Sequence, residues 1–251
     1  MLQLASQRDG TTVLDGDSLG SQRLTFRSGV PVFRSHMNCA KMNGARSIPT
    51  RRRRPAVAVR REISDVAIPT ITHRFTVSDY HRMAEVGILD EADRVELIEG
   101  EIVDIPPLGR RHQARVDQLA ELLIRGLGER AIVRVQGSIR LGERSEPQPD
   151  LVVLRRRADF YADAEAESPD VLLVIEVADT SLAHDRDLKV PLYNCAAITE
   201  VWLVDLNGEN VAVYREPGPR GYGDVFTARG QERLSPRLFP EVALTLVQIL
   251  G

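Results

Sequence analysis

The chain has 251 residues, 43% hydrophobic and 27% charged, enough for one globular domain with additional sequence. No stretch approaches the roughly eighteen uninterrupted apolar residues of a membrane span. The two cysteines, Cys39 and Cys195, exclude a cysteine-dense scaffold, show no metal-ligand spacing and make a reducing cytoplasm the default compartment. The net charge of -3 hides an asymmetry: residues 1–63 carry 12 basic and 4 acidic residues, while the remainder is strongly acidic.

Residues 1–63 combine scattered apolar positions with many Gly, Ser and Arg and show neither helical nor strand period, which predicts a disordered basic tail. The run "RRRR" at 51–54 is a candidate nucleic-acid or localisation signal. The alternative is a solvated run or an early start assignment, with the protein beginning at Met37, Met42 or later. The folded part is expected over 64–251.

Order is predicted from about Ile71. "TVSDYHRMAEVG" opens with Thr76 and Asp79 spaced as a capping box and ends at Gly87, predicting a short helix. "DRVELIEGEIVDIPP" reads as two short strands with a tight turn at Glu99 and Gly100, the second ended by Pro106 and Pro107. "HQARVDQLAELLIRGLG" places Val116, Leu119, Leu123 and Leu127 at helical spacing up to Gly128.

Strands follow at "AIVRVQ", "SIRL", "DLVVL" and "VLLVIEVA", the last two apolar enough for central positions covered on both faces. "LAHDRDLKVPLYNCA" reads as a helix with Asp185 and Lys189 at i,i+4, kinked or ended near Pro191. "EVWLVDL", "NVAVYRE" and "DVFTA" predict further strands, and "EVALTLVQIL" closes the chain. The expected class is α/β or α+β: a mixed sheet flanked by helices.

Asp150 and Glu176 stand out because each adjoins or interrupts a run that reads as a buried strand, where an unpaired carboxylate is costly. If the two strands pair, both carboxylates can converge on a divalent cation that offsets their repulsion and desolvation. Hard oxygen ligands favour Mg²⁺ or Mn²⁺, which would polarise a phosphoryl oxygen and activate water. Lys189 would add positive charge beside that site, and Glu96 a third carboxylate. Read alone, Asp150 after Pro149 is also an ordinary turn residue, and Asp185 with Lys189 an ordinary solvated pair.

The order of "RVELIEGEIVDIP", "RRHQARVDQLAELL", "EPQPDLVVL" and "VLLVIEVADTSLAHDRDLKVPLYNCAAITEVWLVDL" resembles the Uma-type restriction endonuclease family, a bacterial branch of the PD-(D/E)xK nuclease superfamily. The resemblance covers roughly residues 71–250. It implies a restriction-endonuclease-like core with a divalent metal at one edge of a mixed sheet. Pro149 and Asp150 match the "PD" half-motif, Glu176 the acidic residue of the second half-motif, Glu96 the upstream glutamate and His112 a histidine opening the next helix. Gln148 stands where a hydrogen-bonding residue often precedes "PD". In "Glu176-Val177-Ala178", alanine replaces the expected lysine; in this branch that lysine is displaced onto the following helix, where Lys189 fits.

These readings converge on a Mg²⁺-dependent endonuclease, with Mn²⁺ as an alternative metal and DNA as substrate. Asp150 and Glu176 are the expected metal ligands, Glu96 and Lys189 the further catalytic residues, and His112 and Gln148 the supporting ones. Arg110, Arg111 and Arg115, with Arg155 to Arg157, are candidates for a basic rim. The rival readings are a noncatalytic DNA-binding or interaction protein on the same fold, and a metal-dependent phosphoesterase acting on RNA or a small phosphorylated molecule. No membrane association is expected, and a strand read as exposed, "NVAVYRE", admits a homodimer.

Overall fold

The computed structural model describes residues 72–90 and 92–251. The predicted basic tail, with its arginine run, lies outside them. Among the described residues, no helix is long and apolar enough to cross a membrane.

Helix α1 (Val77–Glu85) starts as the sequence predicts: the Thr76 hydroxyl accepts from the Asp79 N–H while the Asp79 carboxylate accepts from the Thr76 N–H. Strands β1 (Val95–Ile98) and β2 (Glu101–Asp104) form an antiparallel hairpin. Its turn places Glu99 and Gly100 at φ 49° and 81°, the left-handed pair that matches hairpin twist. A Cβ on Gly100 would meet the Phe75 carbonyl at 2.9 Å, so glycine is required there on two counts.

The central sheet has six strands in the order β3 (Ala131–Val135), β4 (Leu151–Arg155), β5 (Val171–Ala178), β6 (Glu200–Asp205), β7 (Asn210–Arg215) and β8 (Asp224–Arg229). Only β5 and β6 run parallel, and the other neighbours are antiparallel. The parallel pair needs a crossover, which the helical segment after β5 supplies. All eight residues of β5 are buried, as expected for a strand covered on both faces.

Strand alternation divides the core in two. On one face Leu151, Val153, Leu173, Ile175 and Val177 meet Val116, Leu119, Leu123 and Leu127 of α2 (Arg110–Leu127), with Leu246 and Ile249 of the terminal α5 (Leu246–Leu250). On the other, Val152, Leu154, Val174 and Val201 meet Val190, Leu192 and Tyr193. Glu176 is two residues beyond Val174 and therefore faces the second layer.

Three expectations are corrected. "SIRL" forms no strand beyond a single bridge at Arg140: the Ile139 and Leu141 N–H groups donate to the carbonyls of Pro147 and Ser145, and Pro147 and Pro149 lack the N–H a ladder needs. Pro191 does not end its helix. α3 (Leu182–His184) passes through a π-helical turn (Asp185–Lys189) into α4 (Val190–Cys195), with the Val190 N–H donating to the Asp185 carbonyl. The wider turn absorbs the residue that proline disrupts. Finally, "NVAVYRE" is not exposed. It is β7, paired on both sides, with Val211 and Val213 fully buried, and β8 is the edge. A two-residue strand, β9 (Arg233–Leu234), pairs with β10 (Leu244–Thr245), so the closing segment divides between that strand and α5.

Candidate functional site

A cleft of about 420 Å³ opens where the β1–β2 hairpin, the start of α2, the start of β4, the end of β5 and the π-turn meet. Val103, Ile105 and Pro106 supply an apolar wall, and Asp150, Glu176, Asp185, Lys189 and His112 line it as well. Tertiary burial, rather than any local motif, gathers these groups.

Lys189 is 6% exposed, and its Nζ lies 3.3 Å from Glu96 Oε2 and 3.3 Å from Glu176 Oε1. The Tyr193 hydroxyl, one turn further along, donates to the same Glu176 oxygen at 2.5 Å, and the Asp150 N–H reaches the other at 3.3 Å. Glu96 accepts from the Gln148 backbone N–H at 3.0 Å and has His184 Nε2 at 3.6 Å. Asp150 Oδ2 accepts from the Val177 N–H at 2.8 Å and lies 2.9 Å from His112 Nε2.

Burial pushes the Glu176 carboxyl upward, outweighing the pull of Lys189 in the opposite direction. Glu96 is also buried, yet its contacts with His184, Lys189 and the Gln148 N–H more than compensate and hold it below the ordinary carboxylate range. Burial raises Asp185, despite the Ser181 hydroxyl that donates to it. Burial opposes protonation of His112, but the Asp150 carboxylate beside it wins, so His112 is raised. Burial disfavours the Lys189 cation, and the surrounding carboxylates overcome it and raise its pKa. The site is one coupled array of acids around a buried ammonium.

The family model described as "Putative restriction endonuclease", Uma2, matches residues 77–247. This chain belongs to the Uma2 family. A crystal structure of a putative nuclease belonging to DUF820 from Anabaena variabilis ATCC 29413 aligns with probability 1.00 and a TM-score of 0.55, at 18% identity over 66% of this chain and 95% of that one. At that identity the likeness shows the shared fold. No curated protein matches the chain.

In this Uma2 chain all six sequence-predicted site residues, Glu96, His112, Gln148, Asp150, Glu176 and Lys189, meet at or directly behind the cleft. Gln148 contributes its backbone N–H to Glu96. Lys189 pairs with Glu96 and Glu176 and forms no ion pair with Asp185, because the π-turn replaces the expected α-helical spacing. Asp185, His184 and Tyr193 were not read as site residues from sequence. The available signal was Tyr193, four residues beyond Lys189 on the same helical face.

The candidate basic rim is largely committed elsewhere. Arg111 binds Asp179, Asn207 and the Leu206 carbonyl, Arg157 pairs with Asp159, and Arg156 lies 4.3 Å over the Phe160 ring.

Proposed function

We propose that the cleft hydrolyses DNA phosphodiesters as a divalent-metal-dependent endonuclease site. The observation that carries this reading is the convergence of Asp150, Glu176 and Lys189 from two adjacent strands and the following helical segment at one cleft.

The donor set fits a hard divalent cation: two carboxylates at the cleft, one of them already oriented through a single oxygen by the Val177 N–H and His112. Asp150 and Glu176 would hold Mg²⁺ or Mn²⁺, with Glu96 assisting. When bound, the ion would supply charge for a phosphoryl oxygen and lower the pKa of a coordinated water. The protein groups do the remaining work. Tyr193 and the Asp150 N–H fix the orientation of Glu176, while the Gln148 N–H fixes Glu96. Lys189, held between the two glutamates, is placed to orient a water or stabilise charge growing on the phosphate. A buried array of fixed donors needs little reorganisation during reaction.

The test is cleavage of supercoiled and linear DNA by purified protein with Mg²⁺, Mn²⁺ or EDTA, beside Asp150→Asn and Lys189→Met. Metal-dependent cutting lost in both variants supports the reading. Wild type and variants behaving alike would overturn it and favour a binding module or another substrate.

A further inference from the structure

His81, Glu146 and Glu165 meet outside the cleft. His81 comes from α1, Glu146 from the segment leading to Asp150 and Glu165 from the loop after β4. His81 Nε2 lies 2.7 Å from Glu146 Oε2 and 3.4 Å from Glu165 Oε1. One ligand atom from each of the three residues lies within 4.8 Å of the others, and this is the one such trio of His, Cys, Asp or Glu among the described residues.

Glu146 is the buried member of the trio. Its side chain is 9% exposed, and its only side-chain hydrogen-bond partner among the described residues is His81, on Oε2. Its other oxygen takes no side-chain or backbone donor among the described residues, and the residue borders a cavity of about 360 Å³ that Glu165, Asp163, Ser138, Arg134 and Arg140 also line. A buried carboxylate held only by protein groups collects a full set of donors. Glu200 does so, accepting from Trp202 Nε1, the Arg215 guanidinium and the Arg237 N–H. The arginines around the Glu146 cavity leave that oxygen unmatched: Arg140 reaches Glu165 at 3.4 Å, and Arg134 donates to the Ser138 carbonyl.

We propose that His81, Glu146 and Glu165 form a second divalent-cation site, for a first-row transition ion of the Zn²⁺ class. An imidazole nitrogen with two carboxylate oxygens suits Zn²⁺ far better than Mg²⁺, which prefers an all-oxygen shell. The cavity provides room for water to complete the coordination. The ion would tie three segments distant in sequence. One of them also docks on β1 through the Glu146 N–H to the Leu97 carbonyl, donates the Gln148 N–H to Glu96, and ends at Asp150. The ion's role is therefore to clamp the segment that presents Asp150, and the proposal does not depend on what the cleft cleaves.

The experiment is calorimetric titration of full-length, metal-stripped protein with Zn²⁺, alone and in millimolar Mg²⁺, for wild type, His81→Gln, Glu146→Gln and Asp150→Asn. Thermal melts are read in parallel. His81 is partly exposed, so its variant should fold, and circular dichroism checks this. Expected is one Zn²⁺ site that Mg²⁺ does not displace, retained in Asp150→Asn and weakened at least about tenfold in both ligand variants. Zn²⁺ should raise the melting temperature of wild type and not that of His81→Gln. Unchanged Zn²⁺ binding in both His81→Gln and Glu146→Gln, or loss of that binding in Asp150→Asn alone, would overturn the proposal. Any sites supplied by residues 1–71 are common to all four proteins and cancel in the comparison.

Discussion

Glu176 on β5 and Glu200 on β6 are buried to the same degree, 2% and 1% exposed, and the chain surrounds them differently. Glu200 is held by an indole N–H, a guanidinium and a backbone N–H, all fixed by the sheet and the loop at Arg237. Glu176 shares a lysine with Glu96, takes a tyrosine hydroxyl, and borders a cleft beside Asp150 and Asp185. Matched donors make a buried carboxylate a structural tie, whereas a carboxylate crowded by other acids and open to a cleft is a place where charge can change. Burial alone does not separate the two cases; the company each group keeps does.

The sharpest way to break this contrast is to neutralise each glutamate in turn. Glu176→Gln copies the shape of the protonated acid. It should lower metal-dependent cleavage by at least about 100-fold and change unfolding free energy by less than about 1 kcal/mol. Glu200→Gln should do the reverse, costing about 3 kcal/mol in a denaturant melt by leaving Arg215 unmatched, with cleavage per folded molecule intact. If both variants lose stability equally and neither loses activity selectively, the distinction fails.

Lys189→Ala tests whether the cleft also carries structural load. Removing the ammonium strands Glu96 and Glu176, at a cost of about 3–5 kcal/mol, and should abolish cleavage. Lys189→Met should recover much of the stability in the same melt while remaining inactive.

A smaller effect is expected at His112, whose side-chain hydrogen bond among the described residues goes to one Asp150 oxygen. His112→Ala should weaken Mn²⁺ binding by about 10- to 100-fold in a direct titration, more than it weakens the fold.

The smallest effect is a pH signature. Glu96 has a folded pKa below its ordinary 4.5, so its contribution to stability is present above that value and is lost as pH falls through the lower folded one. Glu176 has the opposite sign. Its folded pKa is raised, so its contribution is present below 4.5 and is lost as pH rises through the folded value. Denaturant melts of metal-free protein should therefore show Glu96→Gln flattening the acid limb and Glu176→Gln flattening the limb approaching neutrality.

Much of this is legible in the sequence alone. β4 and β5 announce themselves as apolar runs, and Asp150 and Glu176 are conspicuous because they disturb them. α2 is readable from its leucine spacing. Glu96 and Lys189 carry no such local contrast and enter only as companions of that pair, and the family resemblance adds His112; each meets a partner tens of residues away. His81 was unreadable for the same reason, since its contact with Glu146 spans 65 residues. "SIRL" misled because its apolar alternation suits a strand, while the prolines opposite it deny the hydrogen bonds a ladder requires.

The π-turn gives the helical segment after β5 an angular offset. An α-helix advances about 100° per residue, so deleting one residue between Asp185 and Lys189 would restore ordinary winding and swing either Asp185 or the Lys189–Tyr193 pair away from the sheet. The distance along the chain from Glu176 to its lysine is thus a poor ruler for this site. What the chain must keep is rotational phase, and an insertion or deletion there would scramble the cleft while leaving composition, strands and core untouched.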